Sequence, residues 1–189
     1  MKIILGSKSL GRKMVLEKAG YAFDVFVADI DEKAIRSENY EELPLLIAQE
    51  KTKALLPTIS EPSLLITSDL VVICHGELRE KPESKEQARE YLESYSQYPA
   101  QTFAAVVITN TATGKSAEGV DSAKTYFKSI PPDVIDAIIE QGDVMRAAGG
   151  FIVDSPLFAP YIDHIDGERE SVIGLPLALT KRLMKEVSR

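Results

Sequence analysis

The opening of the chain constrains its fold more than any other stretch. A short apolar run at residues 2–6 stops at Gly6, and a helical pattern follows at 10–19, ending at Gly20. A second run, YAFDVFVA at 21–28, mixes aromatic residues with valines, as strands do. Strand, helix, strand in that order favours an α/β sheet. Ser9 is placed to cap the helix and Gly20 to stop it.

The rest of the chain keeps that alternation. Residues 43–56 carry a helical pattern (Leu46, Ile47, Glu50, Lys51, Ala54), with Pro44 suited to an early position. A proline- and serine-rich connector spans 57–63. The run LLITSDLVVIC at 64–74 is apolar except near Asp69, and a turn follows at Gly76. Ser84 and Gln87 form a capping-box pattern for a helix at 84–94. Strands are expected at 103–110, at 124–130 as its antiparallel partner or neighbour, and at 161–165. Helices are expected at 131–142 and 175–187, with AAGGF at 147–151 as flexible backbone. With no internal repeat, low-complexity tract or long linker, the expectation is one α/β domain over 1–189.

Composition narrows the function. A chain of 189 residues, 44% of them hydrophobic, can bury a real core. Its formal net charge of -7 argues against nucleic acid as a partner, which wants a basic face, but not against a small anion held in a locally positive cleft. The single cysteine, Cys74, permits no intrachain disulfide and fits a reducing compartment. Lying in LVVIC, it reads as a packed core thiol. Two histidines, His75 and His164, exclude a His-rich zinc site. No stretch has the length of a membrane span, and Arg12 and Lys13 follow the first apolar run too soon for a signal peptide. A soluble, cytoplasmic protein with no membrane partner is expected.

Three groups of residues could carry chemistry. The first is the turn after the opening strand. A strand running into a helix N-terminus points backbone N–H groups outward, where the helix dipole is positive. Ser7 and Ser9 add hydroxyls and Arg12 a cation, a plausible phosphate cradle; Ser9 as a simple cap with Arg12 in solvent is the alternative. The second is Asp69, because a carboxylate inside a buried run is costly unless paired or metal-bound. The third is Lys51, Lys53 and Lys81. Lys51 and Lys53 cannot share a helix face, so at most one points inward. Lys81 precedes Pro82 in an extended dipeptide that holds its ammonium in place. An acid and several cations around a phosphate cradle suggest metal-assisted phosphoryl chemistry.

Taken together, these segments resemble the Maf family of nucleoside triphosphate pyrophosphatases. SKSLGR at 7–12 is similar to the family's SxSPRR. AQEKT at 48–52 matches its AxxKA, SDLVV at 68–72 its ADTVV, and EKP at 80–82 its GKP. AGGF at 148–151 matches AGxY, and IDGERESVIGLP at 165–176 matches IxGDYxNVVGLP. The matches run in order along nearly the whole chain.

The resemblance implies a mixed, twisted sheet flanked by helices, with two lobes around a deep cleft, as in inosine triphosphatase-like proteins. It implies hydrolysis of a nucleoside triphosphate between the α and β phosphates, with a divalent metal, Mg²⁺ or Mn²⁺. Asp69, Lys51 and Lys81 take the catalytic positions, and Glu32 and Asp69 the metal positions. Family members are often dimers, so a homodimer is allowed.

The chain also departs from the pattern. Leu10 and Gly11 replace the proline and first arginine of SPRR, which shifts phosphate binding toward Arg12. SQYPA at 96–100 stands where the family has SGRTH. At AGGFIVDS, the pyrimidine-preferring branch has AGxYxIQG, whereas a branch associated with 7-methyl-GTP has phenylalanine and an acid. Phe151 and Asp154 place the chain nearer the second, as substrate-binding residues. A carboxylate suits the adjacent N1–H and amino donors of guanine, while an amide better suits the single donor of uracil or thymine. The alternatives are the same activity on dTTP, UTP or CTP, or a catalytically weak nucleotide-binding regulator of cell division.

Overall fold

The computed structural model describes residues 1–189. Its strands are β1 (Lys2–Leu5), β2 (Asp24–Val25), β3 (Ser63–Cys74), β4 (Glu77–Leu78), β5 (Ala100–Asn110), β6 (Ser116–Phe127) and β7 (Ile162–Asp166). The helices are α1 (Leu10–Lys18), α2 (Leu43–Leu55), α3 (Lys85–Ser94), α4 (Pro132–Gln141), α5 (Arg169–Ile173) and α6 (Leu177–Val187). The seven strands form one mixed sheet in the order β2-β1-β3-β5-β6-β7, with β4 paired to β3. β1 runs parallel to β2 and β3, whereas β4 and β7 pair antiparallel to β3 and β6. No helix is long and apolar enough to cross a membrane.

The chain divides into two compact units. The first comprises residues 1–70, 103–121 and 173–189. One of its cores joins Ile3 and Leu5 of β1, Val15 and Leu16 of α1, Leu64 and Ile66 of β3, and Leu179 and Leu183 of α6. A smaller cluster, Ile4, Leu55 and Leu65, takes the alternate residues of β1 and β3, as the two-residue period of a strand requires. β3 is buried along almost its whole length, as expected of a central strand covered on both faces.

The second unit comprises residues 71–102 and 122–172. Its core includes an aromatic group, Tyr95, Phe127, Phe151 and Phe158. Phe127 meets Phe151 and Phe158 edge-on, and Phe151 stacks against Phe158. Cys74 also lies here, with no exposed surface. Burial pushes its thiol above the ordinary range. Cys74 is therefore expected to resist a water-soluble alkylating agent until the protein unfolds. Native labelling at the rate of a free thiol would contradict that burial.

Three local expectations need correction. Residues 21–28 form a ladder only at Asp24–Val25, where they pair with Ile4 and Leu5, the last two residues of β1. Tyr21 and Phe23 instead pack on the core of the first unit. β6 begins at Ser116 rather than near 124, its polar and charged residues lying largely on an exposed face. AAGGF is a pinned turn, not flexible backbone. Gly149 donates to the carbonyls of Arg79 (2.9 Å) and Glu80 (3.1 Å), and its own carbonyl accepts from Tyr95 Oη at 2.6 Å. Its φ of 72°, with Val72 and Tyr95 2.8 and 2.9 Å from where a Cβ would sit, admits only glycine.

Candidate active site

The acid in the middle of β3 is held by α2. Ile47, Ala48, Lys51, Thr52 and Leu55 form one buried face of that helix, at the spacing of neighbours three and four apart. On β3, Thr67 and Asp69 project to the same side, two residues apart. The two faces meet as a polar ladder. Thr67 Oγ1 donates to the Ala48 carbonyl (2.8 Å) and lies 2.6 Å from Thr52 Oγ1, while Lys51 Nζ donates to Asp69 Oδ1 at 2.7 Å. Lys51 and Asp69 side chains are 8% and 12% exposed. Lys53 points away, 68% exposed, and pairs with Glu50. Of the two lysines, Lys51 is the one directed at the acid.

Lys51 has a second carboxylate, Glu32 Oε1, at 2.9 Å. Glu32 opens a short 3₁₀ turn, Glu32–Ala34, capped by Asp31 Oδ1, which accepts from Lys33 N–H. Asp69 and Glu32 thus converge on one point, held there by an ammonium. Asp69 Oδ2 takes no donor from the protein.

Arg12 closes the cluster from another side. It is 7% exposed. Its Nε donates to the Gly174 carbonyl (3.0 Å), and its Nη1 to the Ser68 carbonyl (2.9 Å) and to Ser7 Oγ (3.2 Å). Its Nη2 lies 3.9 Å from Asp69 Oδ1. Burial lowers the affinity of the guanidinium for its proton, and Asp69 and Glu32 oppose that effect; an arginine stays charged throughout. Arg12 is therefore neither solvated nor free: it braces α1, β3 and the segment before α6 around Asp69. Ser7 Oγ also accepts from the Ser9 N–H (3.2 Å), and Ser9 Oγ caps α1 by accepting from the Arg12 N–H.

Two contributors were not among the sequence candidates, though both lie in segments that carry the family resemblance. Ser68 Oγ donates to the Gly174 carbonyl at 2.6 Å, on the opposite face of β3 from Asp69. Gly174 has φ 101°, and a Cβ there would overlap Leu70 and press on Arg12. Gly174→Ala is expected to destabilise the fold by roughly 2–4 kcal/mol, combining backbone strain with overpacking. A chemical-denaturation midpoint equal to that of the wild type would contradict this. The cue for Gly174 lay in the IGLP segment, where a glycine directly before Leu-Pro marks a special backbone. Gly11 has a related explanation, since a side chain there would meet Ile173 Cγ2 at 2.7 Å.

The remaining sequence candidates belong to the second unit. Lys81 is exposed and has no partner among the protein's own acids; it follows the backbone that Gly149 pins and precedes a buried Pro82. Phe151 is 6% exposed within the aromatic group, with Tyr95 edge-on to it, so its ring is a support for the loop that follows. Asp154 is one-third exposed and bonded to Arg169.

Asp69 and Glu32 supply the carboxylate oxygens that a hard divalent ion takes, but the point that Asp69 Oδ1 and Glu32 Oε1 share, within 3 Å of both, is filled by Lys51 Nζ. No group of three or more His, Cys, Asp or Glu side chains is assembled. A Mg²⁺-type ion is characteristically held by one or two carboxylates and completes its shell with water and substrate phosphates.

The mixed α/β fold thus sets a buried acid against two cations and a second carboxylate. The chain belongs to the Maf family (Maf-like protein), which it matches over residues 2–187. It is 46% identical to a 7-methyl-GTP pyrophosphatase of Dictyostelium discoideum, covering 99% of this chain and 98% of that one. It is 32% identical to a dTTP/UTP pyrophosphatase of Vibrio vulnificus, covering 98% of each chain. It is 29% identical to a nucleoside triphosphate pyrophosphatase of Salinispora tropica, covering 100% of this chain and 84% of that one.

Proposed function

We propose that this chain hydrolyses a nucleoside triphosphate between its α and β phosphates, giving a nucleoside monophosphate and pyrophosphate, with 7-methyl-GTP favoured. The observation that carries this reading is the buried Lys51–Asp69 pair, in which the ammonium occupies Oδ1 and leaves Oδ2 free. Oδ2 accepts the proton of the attacking water. The water oxygen bonds to the α-phosphorus, the bond to the bridging oxygen breaks, and pyrophosphate leaves with the electron pair.

Lys51 neutralises charge that grows on the leaving group. Arg12 holds Asp69 in place and keeps one nitrogen, Nη2, turned toward it. Ser7, Ser9 and the first turn of α1 offer donors to a phosphate. Asp69 and Glu32 are the residues that would hold a divalent ion, which supplies further charge neutralisation at the phosphates. Asp154 reads the base, with Phe151 supporting its loop.

The preference for 7-methyl-GTP is supported by the acid at 154 and by the name of the 46% identical relative. A second reading, the same chemistry on dTTP or UTP, is supported by the 32% identical relative. Pyrophosphate release measured across 7-methyl-GTP, GTP, UTP, dTTP and CTP separates them. The highest kcat/KM is expected for 7-methyl-GTP. A ranking led by UTP or dTTP would replace the first reading by the second, and no release from any nucleotide would reject both.

A further inference from the structure

One side chain ties the loop of Asp154 to the start of α5, within the second unit. Arg169 donates from Nε (3.1 Å) and from Nη2 (2.8 Å) to the same oxygen, Asp154 Oδ1. Its Nη2 also donates to the Val153 carbonyl at 2.9 Å. The bonding is lopsided. Two donors fill the lone-pair sites of Oδ1, while Oδ2 takes none from the protein. The side chains of Asp154 and Arg169 are 33% and 45% exposed.

An exposed ion pair of this kind adds little stability. Its geometry matters more than its energy. A lone aspartate on a loop samples several rotamers and offers two oxygens. Gripped on one side by a planar, forked cation, it offers one oxygen in one direction.

We propose that Arg169 is a positioning residue for base recognition: it fixes Asp154 and makes Oδ2 the only oxygen presented to the base. This rests on the reading above that Asp154 meets the base. Guanine sets N1–H and the 2-amino group side by side, and an unpaired carboxylate takes one on each oxygen. With Oδ1 filled, only one of the two donors meets an acceptor in line. The chain therefore reads a guanine-type edge through a single donor and tolerates loss of the other. The pair is also formally neutral, so a cationic 7-methylated base gains less here than it would beside an unpaired acid.

The test is kcat/KM for 7-methyl-GTP against 7-methyl-ITP, which differ only in the 2-amino group. The wild type is expected to separate them by less than about threefold. Arg169→Met frees Oδ1 and is expected to raise the ratio roughly tenfold, the scale of one hydrogen bond to a charged group. Arg169→Lys keeps the charge but not the fork and should fall between the two; it also serves if Arg169→Met folds poorly. On an Asp154→Ala background, Arg169→Met should leave the ratio where it was.

A merely structural role would lower both substrates together and leave the ratio fixed. An unchanged ratio in both Arg169 variants overturns the proposal, as does a wild type that already discriminates tenfold. The underlying reading fails in a different way. If Asp154→Ala leaves the preference between 7-methyl-GTP and UTP unchanged, Asp154 does not meet the base, and the role of Arg169 falls with it.

Discussion

Replacing Asp69 with asparagine is expected to lower kcat by roughly a thousandfold, the range found when a positioned general base is removed. The substitution is nearly isosteric. The amide oxygen can still accept from Lys51, whose second partner, Glu32, remains 2.9 Å away. The fold should therefore survive with a midpoint of thermal unfolding close to that of the wild type. What is lost is the proton-accepting oxygen. KM should change far less than kcat, since the phosphates keep their cations. Steady-state pyrophosphate release and a thermal melt on the same sample check both halves. A variant within tenfold of wild-type kcat would remove Asp69 from the chemistry.

Lys51→Met is expected to damage stability and turnover together. Its apolar stem would be replaced well, but the ammonium between Asp69 and Glu32 would be gone. Asp69 is 12% exposed, so its charge would be left largely desolvated beside a second carboxylate, with Arg12 Nη2, 3.9 Å away, as its remaining cation. Removing one partner of a buried ion pair costs about 3–5 kcal/mol; the half-exposed Glu32 places this site at the lower end. Turnover should fall by roughly a hundredfold or more, because the cation also neutralises the leaving phosphates. Mg²⁺ should recover part of the lost melting temperature, since the two carboxylate oxygens would then face each other with no protein cation between them. A melt insensitive to Mg²⁺, with stability equal to that of the wild type, would show that Lys51 does not hold the carboxylates.

The α/β class was legible because it rests on local pattern: the opening strand and helix, and the caps at Ser9 and Ser84, appear where the sequence placed them. Ser84 Oγ accepts from the Gln87 N–H, and the Gln87 side chain reaches back to the Glu83 N–H rather than to that of Ser84. Asp69 was legible for a different reason, since an acid in a run bound to be buried needs a partner.

The identity of that partner was harder. Leu46, Ile47, Glu50, Lys51 and Ala54 follow helical spacing but straddle two stripes. Leu46 is 38% exposed, and the buried face runs through Ile47, Ala48, Lys51 and Leu55. Reading positions four apart from Ile47 would have selected Lys51 over Lys53. Arg12 and Gly174 lie 162 residues apart, and Asp154 and Arg169 lie 15 apart without helical or strand register between them. No periodicity connects such residues, because the sheet and its connections bring them together rather than any single element. The bracing role of Arg12 and the grip of Arg169 were beyond the sequence for that reason.

Phosphorus NMR of 7-methyl-GTP incubated with the protein and Mg²⁺ tests the central claim most directly, with Asp69→Asn run in parallel. The account predicts 7-methyl-GMP and pyrophosphate as the only products of the wild type, and a thousandfold slower appearance of both with the variant. Release of orthophosphate and a nucleoside diphosphate, or equal turnover by the two proteins, would contradict it.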